Sequence, residues 1–159
     1  DQLTGLPNRI MLKNYFAFTL AGKKREQRLA LIFIDLDHFK QVNDTMGHDV
    51  GDLLLKEVAV RIKTVMRESD LLARLGGDEF VALLTSVSRE TITRVAERII
   101  ETFSRSFVIE GHELHVGASI GISVYPEDGK DLETLIKSAD EAMYTAKRKG
   151  KNQYYFYVN

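Results

Sequence analysis

The run Leu29–Leu36 (LALIFIDL) constrains the fold more than any other part of the chain. It is short, almost continuously apolar and partly β-branched, which is typical of a central strand that is covered on both faces. Asp35 and Asp37 lie at its C-terminal end. A buried, unpaired carboxylate costs several kcal/mol or takes up a proton. We therefore expect Asp35 to need a cation.

A glycine pair joins two further apolar runs. Gly76 and Gly77 stand between a run that ends at residue 75 and one that starts at residue 80. Glycine reaches the positive φ values that a two-residue turn requires. The sequence therefore predicts a β-hairpin with two adjacent acids, Asp78 and Glu79, directly after its turn.

These acids have two interpretations when the residues are considered alone. Strand ends and hairpin tips of one sheet can meet, so Asp35, Asp78 and Glu79 could surround Mg²⁺, a hard ion that prefers oxygen ligands. A pair of such ions can activate a hydroxyl group and stabilise an in-line displacement at phosphorus. If instead the glycine pair forms the turn, Arg74 faces Glu79 and the two form a stabilising cross-strand pair. The spacing leaves both interpretations open.

Apolar periodicity predicts the remaining elements. A first helix is predicted to follow an N-cap at Asn8. Three further helices are predicted at Val50–Arg67, at Arg89–Phe107 and from Leu132 to Gly150. The other predicted strands are Phe107–Ile109, His115–Val124 and Tyr154–Val158. The segment His38–Gly51 is predicted to be polar and turn-like, and the basic patch Lys23–Arg25 to be a solvated loop. Hairpins alternating with helices indicate one α+β domain over residues 1–159, with helices covering the sheet.

Composition excludes several classes of protein. The formal net charge is −1, which gives no global reason to expect nucleic-acid or membrane binding. The chain has no cysteine, which excludes disulfides and thiolate metal sites. It shows no signal peptide and no apolar run of membrane-spanning length. Because it begins at Asp1 without Met, we interpret it as a piece of a longer multidomain protein. We expect the domain itself to be cytoplasmic, and any membrane anchor of the full-length protein to lie outside this segment.

Two other polar groups also have alternative roles. Asn43 and Asp52 could bind a guanine edge, because an amide offers a donor and an acceptor and a carboxylate accepts two N–H bonds. A turn and a helix N-terminus explain the same residues more simply. The basic segment around Lys147 and Lys151 suits a triphosphate and equally suits a helix C-terminus. Arg67 with Asp70 suits an anion or guanine clamp, although an arginine at a helix end needs no special explanation.

The segment Gly76–Phe80 spells the signature of the GGDEF domains, the diguanylate cyclases that make cyclic di-GMP. Other segments resemble motifs of this family in order along the entire chain: Asp1–Arg9, Phe33–Lys40, Asn43–Asp44, Gly47–Asp52, Ala118–Ser123 and Ala139–Asn152. The motif positions match without degeneration, so the resemblance favours an active enzyme.

The resemblance implies a fold and a reaction. The fold would be the palm-like βαββαβ core related to class III nucleotidyl cyclases, with a mostly antiparallel sheet and a small extra hairpin. Each domain would hold one GTP, and two domains would face each other as a homodimer. The 3′-hydroxyl of each GTP would then attack the α-phosphate of the other, which releases pyrophosphate and forms cyclic di-GMP.

The resemblance also implies residue roles. Mg²⁺ or Mn²⁺ would be held by Asp35, the carbonyl of Leu36, Asp78 and Glu79, and the two hairpin acids would be catalytic, with Asp78 linked to activation of the 3′-hydroxyl. The residues that would bind GTP are His38, Phe39 and Lys40 at the phosphates, Asn43 and Asp52 at guanine, Gly76 and Gly77 by close backbone approach, and Lys147 and Lys151 at the γ-phosphate. Lysine at position 151 lacks the bidentate geometry of the arginine that is common there.

Regulation and partners follow from the same resemblance. Arg67 and Asp70 match an Arg-x-x-Asp product-inhibition site for cyclic di-GMP, and Arg98 of a neighbouring domain could complete it. An upstream sensory domain is expected. The segment Tyr154–Asn159 resembles the join to a downstream EAL-type phosphodiesterase, so the alternative function is a catalytically silent domain that binds GTP or cyclic di-GMP. Another nucleotidyl cyclase on the same palm is a more distant option, since Asn43 and Asp52 favour guanine.

Overall fold

The computed structural model describes residues 1–23, 27–85 and 87–159. Its elements are α1 (Arg9–Ala21), β1 (Leu29–Asp37), α2 (Phe39–Met46), α3 (His48–Thr64), β2 (Leu71–Gly76), β3 (Glu79–Thr85), α4 (Arg89–Thr102), β4 (Phe107–Ile109), β5 (His112–Leu114), β6 (Gly117–Tyr125), α5 (Leu132–Arg148) and β7 (Tyr154–Phe156). Lys24 and Arg25 of the predicted basic loop lie outside the described residues.

The main sheet has the strand order β2-β3-β1-β6-β7. Strand β1 pairs antiparallel with β3 and with β6, whereas β6 pairs parallel with β7. Strands β4 and β5 form a separate hairpin. The order β1, α3, β2, β3, α4, β6 is the predicted βαββαβ core, so the α+β palm-like fold with a small extra hairpin is confirmed.

The side chains of β1 alternate between two layers of helices. Ala30, Ile32, Ile34 and Leu36 belong to a cluster with α3 and α4, and Leu29, Leu31 and Phe33 belong to one with α1 and α5. Each fully buried side chain of this size contributes about 1.5–3 kcal/mol to folding. Because successive residues of a strand point to opposite faces, Asp35 and Asp37 lie on the face that α5 covers.

Helix α5 lies unusually close to β6. A β-carbon placed on Gly121 would be 1.8 Å from the carbonyl oxygen of Ala139 and 2.2 Å from the nitrogen of Met143. The missing side chain therefore lets the backbone of the helix rest on the strand. This contact positions the C-terminal end of α5 beside the C-terminal end of β1.

The segment His38–Gly51 was wrongly predicted to be a turn. It contains α2 and the start of α3, which meet at Gly47 with a φ of 92°. Phe39 and Val42 bury one face of α2. The polar residues between them hide this short apolar pattern in the sequence.

Several predicted boundaries were also wrong. Helix α3 ends at Thr64, because the amides of Val65 and Met66 close tighter turns onto the carbonyls three residues earlier. Helix α4 ends at Thr102, and the rings of Phe103 and Phe107 then pack 5.7 Å apart, which continues the apolar pattern beyond the helix.

The second hairpin differs from its prediction as well. Strand β4 pairs with β5 (His112–Leu114), and the long strand β6 starts only at Gly117 and pairs with β1. The last strand ends at Phe156 rather than Val158. Within the part of the chain that the structure describes, no helix has the combined length and apolarity to cross a membrane.

Candidate active site

The hairpin between β2 and β3 carries the two adjacent acids at its tip. Gly76 pairs with Glu79, so the turn consists of Gly77 and Asp78 rather than of the two glycines. Gly77 has a φ of 48°, a value that favours glycine. The register of the strands shifts between residues 74 and 76. Asp78 therefore lies in the turn itself, and Glu79 begins the strand that returns to the sheet.

The predicted cross-strand pair between Arg74 and Glu79 is wrong. The register places Arg74 opposite Phe80. The Arg74 guanidinium instead contacts the Asp1 carboxylate at 3.0 Å and donates from Nε to the carbonyl of Gly77 at 3.0 Å. Arg74 thus ties the hairpin tip to the start of the chain and does not neutralise Glu79.

The end of β1 lies directly beside the hairpin tip. Asp35 is opposite Glu79 in the antiparallel register, and opposite residues of two paired strands share a face of the sheet. The amide of Leu36 donates to the carbonyl of Asp78 at 3.3 Å. The structure therefore places at one edge of the sheet the four residues that the resemblance predicts as metal ligands.

The electrostatics of this edge are unbalanced. Burial, followed by the charge of Asp78, raises the pKa of Asp35 to about 6, although the ammonium of Lys147 acts in the opposite direction. Burial also raises the pKa of Glu79, with further contributions from Asp140 and Asp78. The acidic side chains at this edge carry more negative charge than the nearby cations neutralise, so the edge favours an additional cation.

Lys147 supplies a cation at this edge. Its Nζ is 3.1 Å from Asp35 Oδ1, 2.8 Å from Asp37 Oδ1 and 3.4 Å from the carbonyl oxygen of Leu36. These contacts include two of the four groups predicted to hold a metal. The predicted contact of Lys147 with a γ-phosphate stays a prediction.

The acidic groups at this edge supply only part of the oxygen ligands that a hard divalent cation needs. Among the described residues, no group of three or more His, Asp or Glu side chains is arranged to hold an ion by itself. Mg²⁺ commonly uses only one or two protein carboxylates and takes its other ligands from phosphate and water. Asp35 and the carbonyl of Leu36 already contact one cation, the Lys147 ammonium, which shows that these oxygens suit a positive charge.

The start of α2 offers free backbone donors next to this edge. His38 adopts a left-handed conformation with a φ of 69°, and no side chain caps the helix. The first amides of a helix have no partner within it and point outward, where they favour anions. The exposed side chain of Lys40 belongs to the same turn. Phe39 is buried, so its predicted contribution is restricted to the main chain.

A buried acceptor lies between α2 and α3. Asn43 Oδ1 is buried and has no hydrogen-bond partner. A β-carbon on Gly51 would lie 1.8 Å from this oxygen, so the glycine makes room for the carboxamide. Glycine within a helix costs about 1 kcal/mol relative to alanine, which makes a packing reason of this kind informative. Asp52, the other predicted guanine ligand, follows Gly51 directly and is exposed.

Asp37 is a site residue to which the sequence assigned no role. It is 1% exposed and accepts hydrogen bonds from Ser119 Oγ at 2.6 Å, Lys147 Nζ at 2.8 Å and the amide of Asn152 at 2.9 Å. The available signal was its spacing from Asp35, because residues two apart on a strand share a face. Lys151 precedes Asn152 in the same turn, and its amide donates to Ala146 at 2.9 Å.

Comparison with known proteins identifies the family. The model described as "Diguanylate cyclase, GGDEF domain" matches residues 1–153. The chain belongs to this family. It is 45% identical over 158 residues to the bifunctional diguanylate cyclase/cyclic di-GMP phosphodiesterase MucR of Pseudomonas aeruginosa, covering 99% of this chain and 23% of MucR. Identity to the cyclic di-GMP phosphodiesterase NbdA of the same species is 40%, covering 99% of this chain and 20% of NbdA.

A third relative, the diguanylate cyclase TpbB of P. aeruginosa, is 43% identical over 155 residues, which cover 95% of this chain and 35% of TpbB. The crystal structure of the TpbB GGDEF domain superposes with a TM-score of 0.94 at 38% identity, covering 98% of this chain and 99% of that chain. The chain spans about a fifth to a third of the length of these relatives.

Two of the three predicted inhibition residues of this GGDEF domain, Arg67 and Asp70, form a clamp that is complete within the domain. Arg67 Nη2 lies 3.0 Å from Asp70 Oδ1 and donates to the carbonyl of Thr85 at 2.8 Å. Asp70 also accepts from the amide of Arg67 at 3.0 Å. The pair lines a surface cavity of about 600 Å³, whereas Arg98 lines a separate one. Within one domain the three residues are not brought together, and completion of the site by a neighbour stays a prediction.

Proposed function

We propose that this GGDEF domain is a diguanylate cyclase that condenses two GTP molecules into cyclic di-GMP. In each half of the reaction a 3′-oxygen forms a bond to the α-phosphorus of the other GTP. The bond from the α-phosphorus to the oxygen that bridges to the β-phosphate breaks, pyrophosphate leaves with that oxygen, and the hydroxyl proton passes to solvent. Two such transfers close the cyclic product and balance the reaction.

One observation carries this proposal. The strand register places Asp35 opposite Glu79 while the turn holds Asp78 against the amide of Leu36. Three acids from two distant parts of the chain thereby share one edge of the sheet, beside the first amides of α2. Carboxylates next to free amides suit a magnesium-bound triphosphate, because the amides favour the phosphates and the acids favour the cation.

The chain's own residues have distinct roles in this proposal. Asp35, the carbonyl of Leu36, Asp78 and Glu79 would hold Mg²⁺ or Mn²⁺, which would supply charge neutralisation at the phosphates and lower the pKa of the attacking hydroxyl. Asp78 is the acid linked to activation of that hydroxyl. The remaining proposed contacts are those of His38, Phe39 and Lys40 with the phosphates, Asn43 and Asp52 with guanine, Gly76 and Gly77 with the nucleotide by their exposed backbone, and Lys147 and Lys151 with the γ-phosphate.

One domain provides half of the reacting groups. A single GTP at this edge brings one 3′-hydroxyl and one α-phosphate, and neither can react with the other to give a dinucleotide. We therefore propose that activity requires a homodimer in which two such edges face each other. Cyclic di-GMP would then inhibit by bridging Arg67 and Asp70 to Arg98 of a neighbouring domain.

A second candidate function is regulation without turnover. MucR and NbdA carry a phosphodiesterase name and are several times longer than this chain. In this alternative the domain binds GTP or cyclic di-GMP and controls an attached EAL-type phosphodiesterase, while an upstream domain provides the input. Retention of Asp35, Asp78 and Glu79 favours the cyclase.

Product formation at different protein concentrations separates the two functions. The domain is incubated with GTP and Mg²⁺, and cyclic di-GMP is quantified by chromatography. A cyclase that works as a dimer of half-sites gives a rate that rises with about the square of the protein concentration, until dimers saturate. A domain that binds GTP but forms no product at any concentration contradicts the cyclase and supports the regulatory function.

A further inference from the structure

Asp37 lies where three elements meet next to the acidic edge, which is the part of the sheet that carries Asp35, Asp78 and Glu79. Its carboxylate accepts from Ser119 on β6, from Lys147 on α5 and from the amide of Asn152 in the turn before β7. The side chain is almost fully buried. A buried carboxylate with three donors is held in one orientation, and it holds its donors in turn.

The contacts of Lys147 distinguish Asp37 from the other acceptors. The Lys147 ammonium contacts Asp35, Asp37 and the carbonyl of Leu36. The proposed function assigns Asp35 and Leu36 to the metal, so those two acceptors are needed elsewhere when substrate is bound. Asp37 has no other assignment. It is the acceptor that can keep Lys147 in place in both situations.

The turn after α5 depends on the same carboxylate. Lys151 and Asn152 both adopt left-handed conformations, with φ values of 66° and 50°. Such conformations are uncommon for residues other than glycine, asparagine and aspartate, so Lys151 in particular needs surrounding contacts that impose its conformation. The hydrogen bond from the Asn152 amide to Asp37 is such a contact, and it directs the backbone from which the Lys151 side chain extends.

We infer that Asp37 is a positioning residue that holds Lys147 and the turn of Lys151 for the terminal phosphate of GTP. This inference rests on the proposed function. Only a carboxylate satisfies all three donors, because an amide would present its own N–H group to one of them. Asp37→Asn therefore keeps the size of the side chain but disturbs Lys147, Asn152 or both.

The test measures discrimination between nucleotides without turnover. The probes are 3′-deoxy-GTP and 3′-deoxy-GDP, which lack the attacking hydroxyl, and their dissociation constants are measured by calorimetry in Mg²⁺. The dissociation constant of 3′-deoxy-GDP divided by that of 3′-deoxy-GTP reports the contribution of the γ-phosphate, and we call this value the ratio. We expect Asp37→Asn to lower this ratio by about tenfold, which corresponds to the loss of one charge-assisted hydrogen bond. The affinity for 3′-deoxy-GDP should change much less.

A double-mutant cycle distinguishes positioning from general stability. Lys147→Ala should lower the same ratio, and adding Asp37→Asn to it should lower the ratio further only by the part that the turn of Lys151 contributes, so the two losses are less than additive. If Asp37 only stabilises the fold, both nucleotides lose affinity equally, the ratio is unchanged and the inference is overturned. A ratio that rises in Asp37→Asn, because Lys147 is released toward the phosphate, overturns it as well.

Milder variants keep the test decisive if Asp37→Asn does not fold. Gly117→Ala places a β-carbon 2.8 Å from Asn152 Oδ1 and 3.1 Å from Asp37 Oδ2, which forces the Asn152 side chain to move and presses on the carboxylate without changing its charge. It should lower the ratio. Ser123→Ala is the control. Ser123 is buried on the same strand, β6, but its hydroxyl donates to the carbonyl of Leu135 and not to Asp37, so this variant should leave the ratio unchanged. An unchanged ratio in Gly117→Ala contradicts the inference.

The outcome also separates this inference from the proposed function. If the unaltered domain binds neither probe, the cyclase proposal and the role of Asp37 are both wrong. If it binds both probes and prefers the triphosphate while the variants keep that preference, only the role of Asp37 is wrong.

Discussion

Two charged regions of this domain are built in opposite ways. In the clamp, Arg67 and Asp70 contact each other at 3.0 Å and Arg67 also donates to Thr85, so the charges compensate each other. At the acidic edge, Asp35 and Glu79 face each other across paired strands. Burial and neighbouring acids raise the pKa of both carboxyl groups there.

The difference indicates what each region does without a ligand. A compensated pair is stable by itself and exchanges partners only when a ligand offers better ones. Accumulated negative charge lowers the stability of the folded state until a cation or proton arrives. The acidic edge is therefore where binding and chemistry are expected to depend most on each side chain, and the clamp is where effects should be regulatory and smaller.

Replacement of Asp78 should give the largest effect. Asp78→Asn removes the carboxylate charge that is proposed to assist activation of the 3′-hydroxyl, while it keeps the size of the side chain. We expect the rate of cyclic di-GMP formation to fall at least about a hundredfold, with 3′-deoxy-GTP still bound. Glu97→Gln, on the exposed face of α4, is the matched control and should keep full activity. An Asp78→Asn variant at full rate would contradict the metal and catalytic assignments.

The buried amide of Asn43 sharpens the comparison, because it also lacks a partner. Gly51→Ala should push the Asn43 carboxamide out of its place, and we expect 3′-deoxy-GTP affinity to fall about ten- to hundredfold, as for a lost buried hydrogen bond. The thermal unfolding midpoint should change little, since alanine favours the helix. Calorimetry on Gly51→Ala, Asn43→Ala and the double variant tests this. Fully additive losses would show that Gly51 does not act through Asn43.

The clamp should show a smaller and purely regulatory effect. Arg67→Ala removes the guanidinium, and we expect the cyclic di-GMP concentration for half-inhibition to rise about tenfold. Product yield should rise, and 3′-deoxy-GTP affinity should stay the same. Arg94→Ala on the exposed face of α4 is the control. Unchanged product inhibition in Arg67→Ala would remove the clamp from the regulatory site.

The stability of the acidic edge should depend on pH. Burial raises the pKa of Asp35 from its ordinary value of 3.8 to about 6 in the folded domain. Between these two pH values the folded state therefore binds the proton more tightly than the unfolded state does. The free energy of unfolding should therefore fall as pH rises from about 4 to 6, and stay lower above.

Asp35→Asn tests this sign. It should remove that part of the slope and stabilise the magnesium-free domain at pH 7.5 by about 1 kcal/mol, after allowance for solvent screening. Urea unfolding across the pH range measures it, with Asp44→Asn as an exposed control. A destabilised Asp35→Asn variant at pH 7.5 would mean that the Lys147 contact outweighs the repulsion, and the contrast with the clamp would disappear.

Much of the fold could be predicted from local sequence patterns. The run at Leu29–Leu36 predicted a central strand covered on both faces, and the glycine pair predicted the hairpin, because apolar periodicity and turn chemistry depend on neighbouring residues. The boundaries of α2, α4 and β5 could not be predicted from such patterns. There, apolar residues that follow an element, such as Phe107 after α4, extend the pattern beyond the hydrogen bonds that define it.

The sequence by itself determined the family, through motifs that occur in order, and it determined which acids and lysines are candidates. It left open whether Glu79 pairs with Arg74 or shares an edge with Asp35. The tertiary structure decided this through a register that shifts by one position at the turn and so places Asp78 in it. The role of Asp37 also needed the structure, because its donors Ser119, Lys147 and Asn152 lie 82, 110 and 115 residues away along the chain. Contacts over such separations arise only when packing brings strand, helix and turn together, and no local pattern encodes them.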